Sequence, residues 1–257
     1  MNTEALRTVA ATYGTPTYIF DVREVEARIR LLRSLLPEDT GLCFAVKANP
    51  FLIPYVADLV DRLEVCSPGE YEICIQEQIA PEKIVVSGVN KTYESMKRIL
   101  SYSKGAGIYT IESEEHAKIL RTLAEKNQMP LSVLIRLSSG NQFGVDAETF
   151  LRLAKEIQES PYLTLAGVHY YAGTQKRQSK LEKELDTLTA FAKTFEEETG
   201  TVLNELEYGA GMKVSYFIND SEKDQRESEP EPQIQALAEK LRTCAYGKKT
   251  IELGRFL

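Results

Sequence analysis

Short β-type runs separated by longer amphipathic stretches constrain this chain more than any other feature of its sequence. The β-type runs fall at 42–47 (LCFAVK), 63–66 (LEVC), 83–87 (KIVVS), 107–111 (GIYTI), 131–136 (LSVLIR), 163–169 (LTLAGVH), 203–208 (LNELEY) and 249–252 (KTIE). Helical spacing of apolar residues occupies 53–60, 69–79, 92–102, 114–127, 147–158, 178–199 and 233–244, with a further helix at 22–36 ahead of the first strand. Strands that alternate with helices pair in parallel through right-handed crossovers. Eight such units in 257 residues predict an α/β fold of the (β/α)8 barrel type, with a doubly wound sheet as the alternative. The doubly wound sheet expects a glycine-rich first βα turn, and the turn here reads ANPF at 48–51.

A composition of 43% hydrophobic and 27% charged residues is enough to bury a full core, so we expect one domain over 1–257. Within it, 1–21 is an N-terminal segment and 219–233 (NDSEKDQRESEPEPQ) an acidic, solvated spacer between strand seven and the next helix. Lys and Arg number 31 against 38 Asp and Glu, a net charge of −7, and no basic stripe interleaved with aromatics is present. Nucleic acid is therefore not an expected partner. The first residues, MNTEALRTVAATYG, carry no apolar run after a basic start, and no later run reaches the roughly eighteen apolar residues of a membrane span. A cytoplasmic protein with no membrane partner is expected. Cys43, Cys66, Cys74 and Cys244 lack metal-ligand spacing, and His116 and His169 lie far apart, so neither a metal site nor a disulfide framework is expected. Cys43 and Cys66 read as small buried thiols, and none of the four is assigned a catalytic role.

Lys47 stands out in this frame. It closes the apolar run CFAV of 43–46 and is followed at once by a turn, so its ammonium either snorkels to the surface or is desolvated. Desolvation would lower its pKa and free the amine to form an imine with a carbonyl compound. In a barrel the C-terminal strand ends converge on one face. There they would gather Lys47, Ser67–Glu70, Ser87–Gly88, His169–Gln175, Tyr208–Met212 and Glu252–Arg255. Gly209, Ala210 and Gly211 let backbone N–H groups approach closely, and Gly173 with Thr174 adds a hydroxyl beside a second turn, together a cradle for phosphate. Alone, each glycine pair reads as an ordinary turn and Glu252 as an ordinary surface carboxylate. Together, an amine for an aldehyde, a phosphate cradle and a carboxylate for a ring nitrogen are the parts of a pyridoxal phosphate site.

In order along the chain, YIFD (18–21), AVKAN (45–49), SPGE (67–70), NQFGVD (141–146), HYYAGTQ (169–175), YGAGMKVSYF (208–217) and ELGR (252–255) resemble the fold-type III pyridoxal phosphate decarboxylases. This is the alanine racemase-like barrel group that includes the diaminopimelate, ornithine and carboxynorspermidine decarboxylases. The resemblance implies pyridoxal 5′-phosphate as cofactor, with Lys47 carrying the internal aldimine and Glu252 pairing with the pyridinium. It further implies that Gly173, Thr174, Gly209 and Gly211 hold the phosphate, that His169 and Tyr171 flank the cofactor, and that Arg255 meets the phosphate or a substrate carboxylate.

Departures from the family pattern narrow the reading. The usual H-x-H-x-G-S places a stacking histidine where Tyr171 stands; a phenol can stack but supplies no imidazolium. Y-x-G-T-Q resembles the branch acting on glutamate tethered to an acyl-carrier protein. The usual E-P-G-R reads E-L-G-R at 252–255, and Ala210 replaces the middle glycine of three. Family members also continue past this motif into a β-rich second domain that donates a cysteine and a tyrosine across a homodimer interface. With the sequence read to Leu257, that domain is expected to be missing. The expectation is an amino-acid decarboxylase barrel for a diamino acid or carrier-bound amino acid, dependent for turnover on the missing domain or a partner chain. Helix 22–36 is expected to fill the place of the helix after strand eight. Two alternatives are a racemase, which would set an arginine rather than a glutamate at the ring nitrogen, and a non-catalytic pyridoxal phosphate homeostasis protein.

Overall fold

In the computed structural model, which describes residues 3–103, 107–217, 219 and 221–257, β1 (Thr40–Ala45) hydrogen-bonds in parallel to two strands at once. Its neighbours are β2 (Arg62–Val65), through Cys43 opposite Arg62, and β8 (Lys248–Leu253), through Cys43 opposite Glu252. This double pairing closes the sheet into a barrel of eight parallel strands in sequence order. The intervening strands are β3 (Ile84–Val86), β4 (Ile108–Ile111), β5 (Leu131–Arg136), β6 (Leu163–Tyr171) and β7 (Glu205–Gly209). The barrel prevails over the doubly wound sheet because β8 returns to β1 and leaves no open edge.

Ten α-helices are present among the described residues: α1 (Thr3–Tyr13), α2 (Val22–Leu35), α3 (Ile53–Val56), α4 (Pro68–Gln76), α5 (Tyr93–Ser103), α6 (Glu114–Asn127), α7 (Ala147–Gln158), α8 (Gln178–Thr199), α9 (Glu222–Glu227) and α10 (Pro230–Thr243). The helices between strands bury one face on the barrel; in α7 this is Phe150, Leu153, Ala154 and Ile157, the spacing of one helical stripe. Ser67, Ser113 and Asp146 cap α4, α6 and α7 by accepting from the N–H of Glu70, His116 and Thr149. The caps on α4 and α6 let these helices follow β2 and β4 after two intervening residues, whereas α7 begins only after a longer loop from β5. No helix among the described residues is long and apolar enough to cross a membrane.

Several boundaries differ from the sequence-based expectation for physical reasons. Strand β1 stops at Ala45, so Lys47 lies in a 3-10 turn (Val46–Ala48) just past the strand. Helix α3 ends at Val56 rather than near 60; Lys83 Nζ takes up the Ala57 and Val60 carbonyls at 2.6 and 3.2 Å, satisfying the groups that a longer helix would use. Strand β6 runs on to Tyr171 and shifts register against β5 between Val133 and Leu134. The segment expected as a solvated spacer at 219–233 instead contains α9 and the start of α10. Ser221 caps α9 through the Asp224 N–H, and Lys213 Nζ reaches Asp224 Oδ1 at 2.6 Å and Glu227 Oε2 at 2.8 Å. Charges read as solvating are thus partly used to dock a short helix.

Helix α2 packs against both α10 and α3 and so fills the gap outside β8 and β1. Arg28 of this helix donates to the Phe256 carbonyl at 2.9 Å and lies 4.8 Å from the Phe256 ring centroid. Inside the barrel, Arg62 Nη1 contacts Glu205 and, at 3.0 Å, Glu207 Oε2, one buried charged layer.

Candidate active site

The C-terminal strand ends enclose a cavity of about 330 Å³ whose lining includes Lys47, Tyr171, Thr174, Gly211, Glu252 and Arg255. Side chains from β6 and β8 and from the turns after β1 and β7 therefore meet, although Lys47 and Glu252 are 205 residues apart in sequence. The Lys47 ammonium donates to Glu64 Oε2 at 2.6 Å and to Glu252 Oε1 at 3.1 Å. It also lies 3.6 Å from Cys66 Sγ, whose thiol donates to Glu64 Oε1 at 3.2 Å. Both carboxylates are nearly inaccessible, whereas the Lys47 side chain remains 39% exposed to the cavity.

This arrangement corrects the expectation that desolvation lowers the Lys47 pKa. Burial does act in that direction, but the Glu252 and Glu64 carboxylates outweigh it and hold the ammonium well above the ordinary lysine value. In return, Glu252, which burial alone would raise, is held well below the ordinary carboxylate range by Lys47 and His169. Glu64 moves the other way: burial and the neighbouring Glu252 charge raise it, against Lys47. The buried His169 contacts Glu252 through Nε2 and Oε2 at 3.2 Å. Glu64, His169 and Glu252 bring three possible ligand atoms within 4.8 Å of one another, and Lys47 supplies the positive charge among them.

In the same cavity, Arg255 donates to Thr174 Oγ1 at 3.0 Å and to the Tyr216 hydroxyl at 2.5 Å. Gly211 adopts φ +58°, and a Cβ there would fall 2.1 Å from the Gly173 carbonyl. At Gly209 a Cβ would fall 2.4 Å from the Tyr171 ring. The glycines thus let two turns and an aromatic ring close on each other. Tyr171 sits among cations: Lys47 Nζ, Arg136 Cζ and Lys176 Nζ lie 5.5, 5.9 and 5.8 Å from its centroid. The residues fit a pyridoxal phosphate. An amine, a buried carboxylate, a hydroxyl, a guanidinium and a glycine turn line the one cavity.

Of the residues singled out from the sequence, Lys47, Tyr171, Thr174, Gly211, Glu252 and Arg255 line the cavity and His169, Gly173 and Gly209 touch them, whereas Ser67–Glu70 and Ser87–Gly88 are not in its lining; several neighbours, conversely, do not announce themselves. Glu64 is one; its signal was a carboxylate on a strand whose every residue proves buried. Arg136, at the end of β5, pairs with Glu112 Oε2 at 2.7 Å, and Glu112 in turn lies 3.4 Å from the buried Lys91 ammonium. Burial lowers the Lys91 pKa to about 8 against the pull of Glu112.

Comparison with known proteins agrees with this geometry. Residues 22–257 match the family model for the pyridoxal-dependent decarboxylase, pyridoxal binding domain. The chain is 31% identical over 235 residues to a diaminopimelate decarboxylase of Actinosynnema pretiosum subsp. auranticum, covering 84% of this chain and 52% of the relative. It is also 31% identical over 232 residues to that of Pseudomonas aeruginosa, covering 82% of this chain and 55% of the relative. Among solved structures, AQ1208 from Aquifex aeolicus superposes with a TM-score of 0.83 at 25% identity, over 98% of this chain and 60% of that one. The lysine/ornithine decarboxylase of Vibrio vulnificus, complexed with putrescine, shares the fold at a TM-score of 0.83 and 18% identity, over 98% of this chain and 67% of that one. The chain spans about half the length of these curated relatives. With the family model matched from α2 to the last residue, and the strand-end amine, carboxylate and glycine turns in one cavity, the chain belongs to the pyridoxal-dependent decarboxylases and comprises their pyridoxal-binding barrel domain.

Proposed function

We propose that this barrel is the cofactor-holding part of a pyridoxal phosphate-dependent decarboxylase acting on the α-carboxylate of an amino acid. The observation that carries the reading is the contact of the Lys47 ammonium with the buried Glu252 carboxylate at 3.1 Å, inside the cavity walled by Thr174, Gly211 and Arg255. When bound, the cofactor supplies a pyridine ring that, once protonated, withdraws the electron pair left by departing CO₂.

Each residue has a distinct part in this proposal. Lys47 presents the amine that attaches to the cofactor aldehyde, and must first release a proton that Glu64 and Glu252 help it retain. Glu252, already ionised, would accept a hydrogen bond from the cofactor's ring nitrogen and favour its protonated form, with His169 on its second oxygen. Thr174, Arg255, Gly209, Gly211 and the Gly173 turn receive the phosphate. Tyr171 packs on the ring face. A glutamate rather than an arginine for the ring nitrogen favours decarboxylation over racemisation, because a protonated ring is the stronger electron sink.

For the substrate we infer a diamino acid or an amino acid carried on a protein. Tyr171 and the Y-x-G-T-Q sequence support the carrier-bound form, and the diaminopimelate decarboxylases among the relatives support the diamino acid. Incubation with pyridoxal phosphate, borohydride reduction and peptide mapping test the site, with Lys47 as the expected residue of attachment. Equal trapping in Lys47→Ala would overturn it. Release of CO₂ from candidate amino acids by the barrel, alone and in its full-length context, tests the reaction.

A further inference from the structure

Lys176 follows directly after the HYYAGTQ segment and contributes nothing to the cavity lining, yet its side chain is fully buried. Its Nζ donates to the Gly209 carbonyl at 2.9 Å and to Glu184 Oε2 at 2.7 Å, and its backbone N–H donates to the Gly211 carbonyl at 3.0 Å. The Tyr208 hydroxyl shares the same Glu184 oxygen at 2.7 Å. Next to it, the Gln175 amide brackets Val214, accepting from its N–H at 2.8 Å and donating to its carbonyl at 2.9 Å. Lys176 thus holds two carbonyls of the Gly209–Gly211 segment, that of Gly209 with its buried ammonium and that of Gly211 with its main-chain N–H.

We propose that Lys176 is a positioning residue for phosphate, one that builds the anion cradle by holding two carbonyls back. In a trans peptide the C=O and the following N–H point in opposite directions. Tying the Gly209 and Gly211 carbonyls to Lys176 therefore turns the Ala210 and Met212 N–H groups the other way, and Met212 lines the cavity. The left-handed Gly211, at φ +58°, makes such successive N–H groups converge into an anion-binding concavity. Glu184 neutralises the ammonium, so Lys176 acts through the orientation of the turn. Without it, the Gly209 carbonyl loses its charged donor and its oxygen can tilt toward the phosphate, where like charges repel.

This inference rests on the proposed cofactor site, and the test separates the two. In Lys176→Met, which keeps the main-chain N–H on Gly211 and loses only the ammonium on Gly209, the preference for pyridoxal 5′-phosphate over pyridoxal, measured by borohydride trapping on Lys47 at graded concentrations, should fall by about tenfold, the effect of losing one charge-assisted hydrogen bond. Uptake of pyridoxal, which lacks the phosphate, should stay within about twofold on the same grounds. The double variant Lys176→Met with Glu184→Gln removes the stranded buried carboxylate and should show the same loss if the single variant folds poorly. An unchanged preference, or equal weakening for both aldehydes, overturns the proposal. A wild-type protein that takes up neither aldehyde counts against the Lys47 site. In that case ³¹P line broadening of inorganic phosphate decides the cradle: broadening by wild type lost in the variant supports it, and equal line widths overturn it.

Discussion

Lys47 and Glu64 form the shortest contact of the site's ion cluster, 2.6 Å from Nζ to Oε2, and Glu252 reaches the same nitrogen at 3.1 Å. One ammonium is thus shared by two buried carboxylates, only one of which has a proposed role at the ring nitrogen. Glu64 instead holds the amine in its charged, unreactive form. Replacing it should therefore ease loading. In Glu64→Gln the Lys47 pKa should drop by a unit or more, and attachment of pyridoxal phosphate at pH 7 should quicken by about tenfold. The pH profile of trapped cofactor measures this; an unchanged or slower profile would show that Glu64 does not restrain the amine.

Glu252→Gln separates attachment from chemistry. The amide is nearly isosteric and leaves Lys47 in place, so trapping of the cofactor should survive. It no longer favours a positive ring nitrogen, and exchange of the α-proton of a bound amino acid, followed by NMR in deuterated water, should slow by about 10²-fold, the scale of removing one preorganised electrostatic partner. Unchanged exchange would remove Glu252 from the chemistry.

Glu207 predicts a pH-dependent stability. Burial raises its pKa to about 7, against the opposing pull of His169 and Arg62. A carboxyl that holds its proton more tightly when folded gives stability that is present at low pH and lost as pH rises from the unfolded value of about 4.3 to about 7. Glu207→Gln should therefore raise stability at pH 8 by about 1–3 kcal/mol and change it little at pH 4. Thermal melts across that range check the sign, and a variant equally altered at both ends contradicts it.

Tyr171 is surrounded by the positive groups of Lys47, Arg136 and Lys176, all within 6 Å of its ring centroid. A histidine at this position would meet three cations, so the imidazole introduced by Tyr171→His should titrate below its ordinary value of about 6.5. Tyr171→Phe keeps the ring face and should retain cofactor affinity within about threefold, a difference below 1 kcal/mol. NMR titration of the new imidazole and cofactor titration of the phenylalanine variant test the pair.

Legibility from sequence followed the physics of each position. The alternation of strands and helices could be read because parallel strands buried on both faces appear as unbroken apolar runs, as in LSVLIR. Lys47, Thr174, Arg255 and the Gly209–Gly211 turn could be read because charge and glycine sit at strand ends, where a barrel needs neither for packing. Glu64 is not legible because L-E-V-C at 63–66 reads only as a short strand, and barrel closure is what buries both Arg62 and Glu64. Lys176 escaped because K-R-Q after a turn reads as solvated, and its burial depends on Glu184 and Tyr208, contributed by elements that no local pattern links to it. The acidic segment 219–233 reads as a spacer because Lys213, the partner of Asp224 and Glu227, lies outside it.

Helix α2 precedes β1 in the chain yet seals the seam against β8, with Arg28 fastened to the Phe256 carbonyl. During synthesis the barrel can therefore be completed only after its final strand leaves the ribosome. Until then Lys47 has emerged without the carboxylate 205 residues downstream, and aldehyde captured by a nascent chain would find an amine with no ring partner. The seam makes the complete cofactor site wait on the last strand of the barrel.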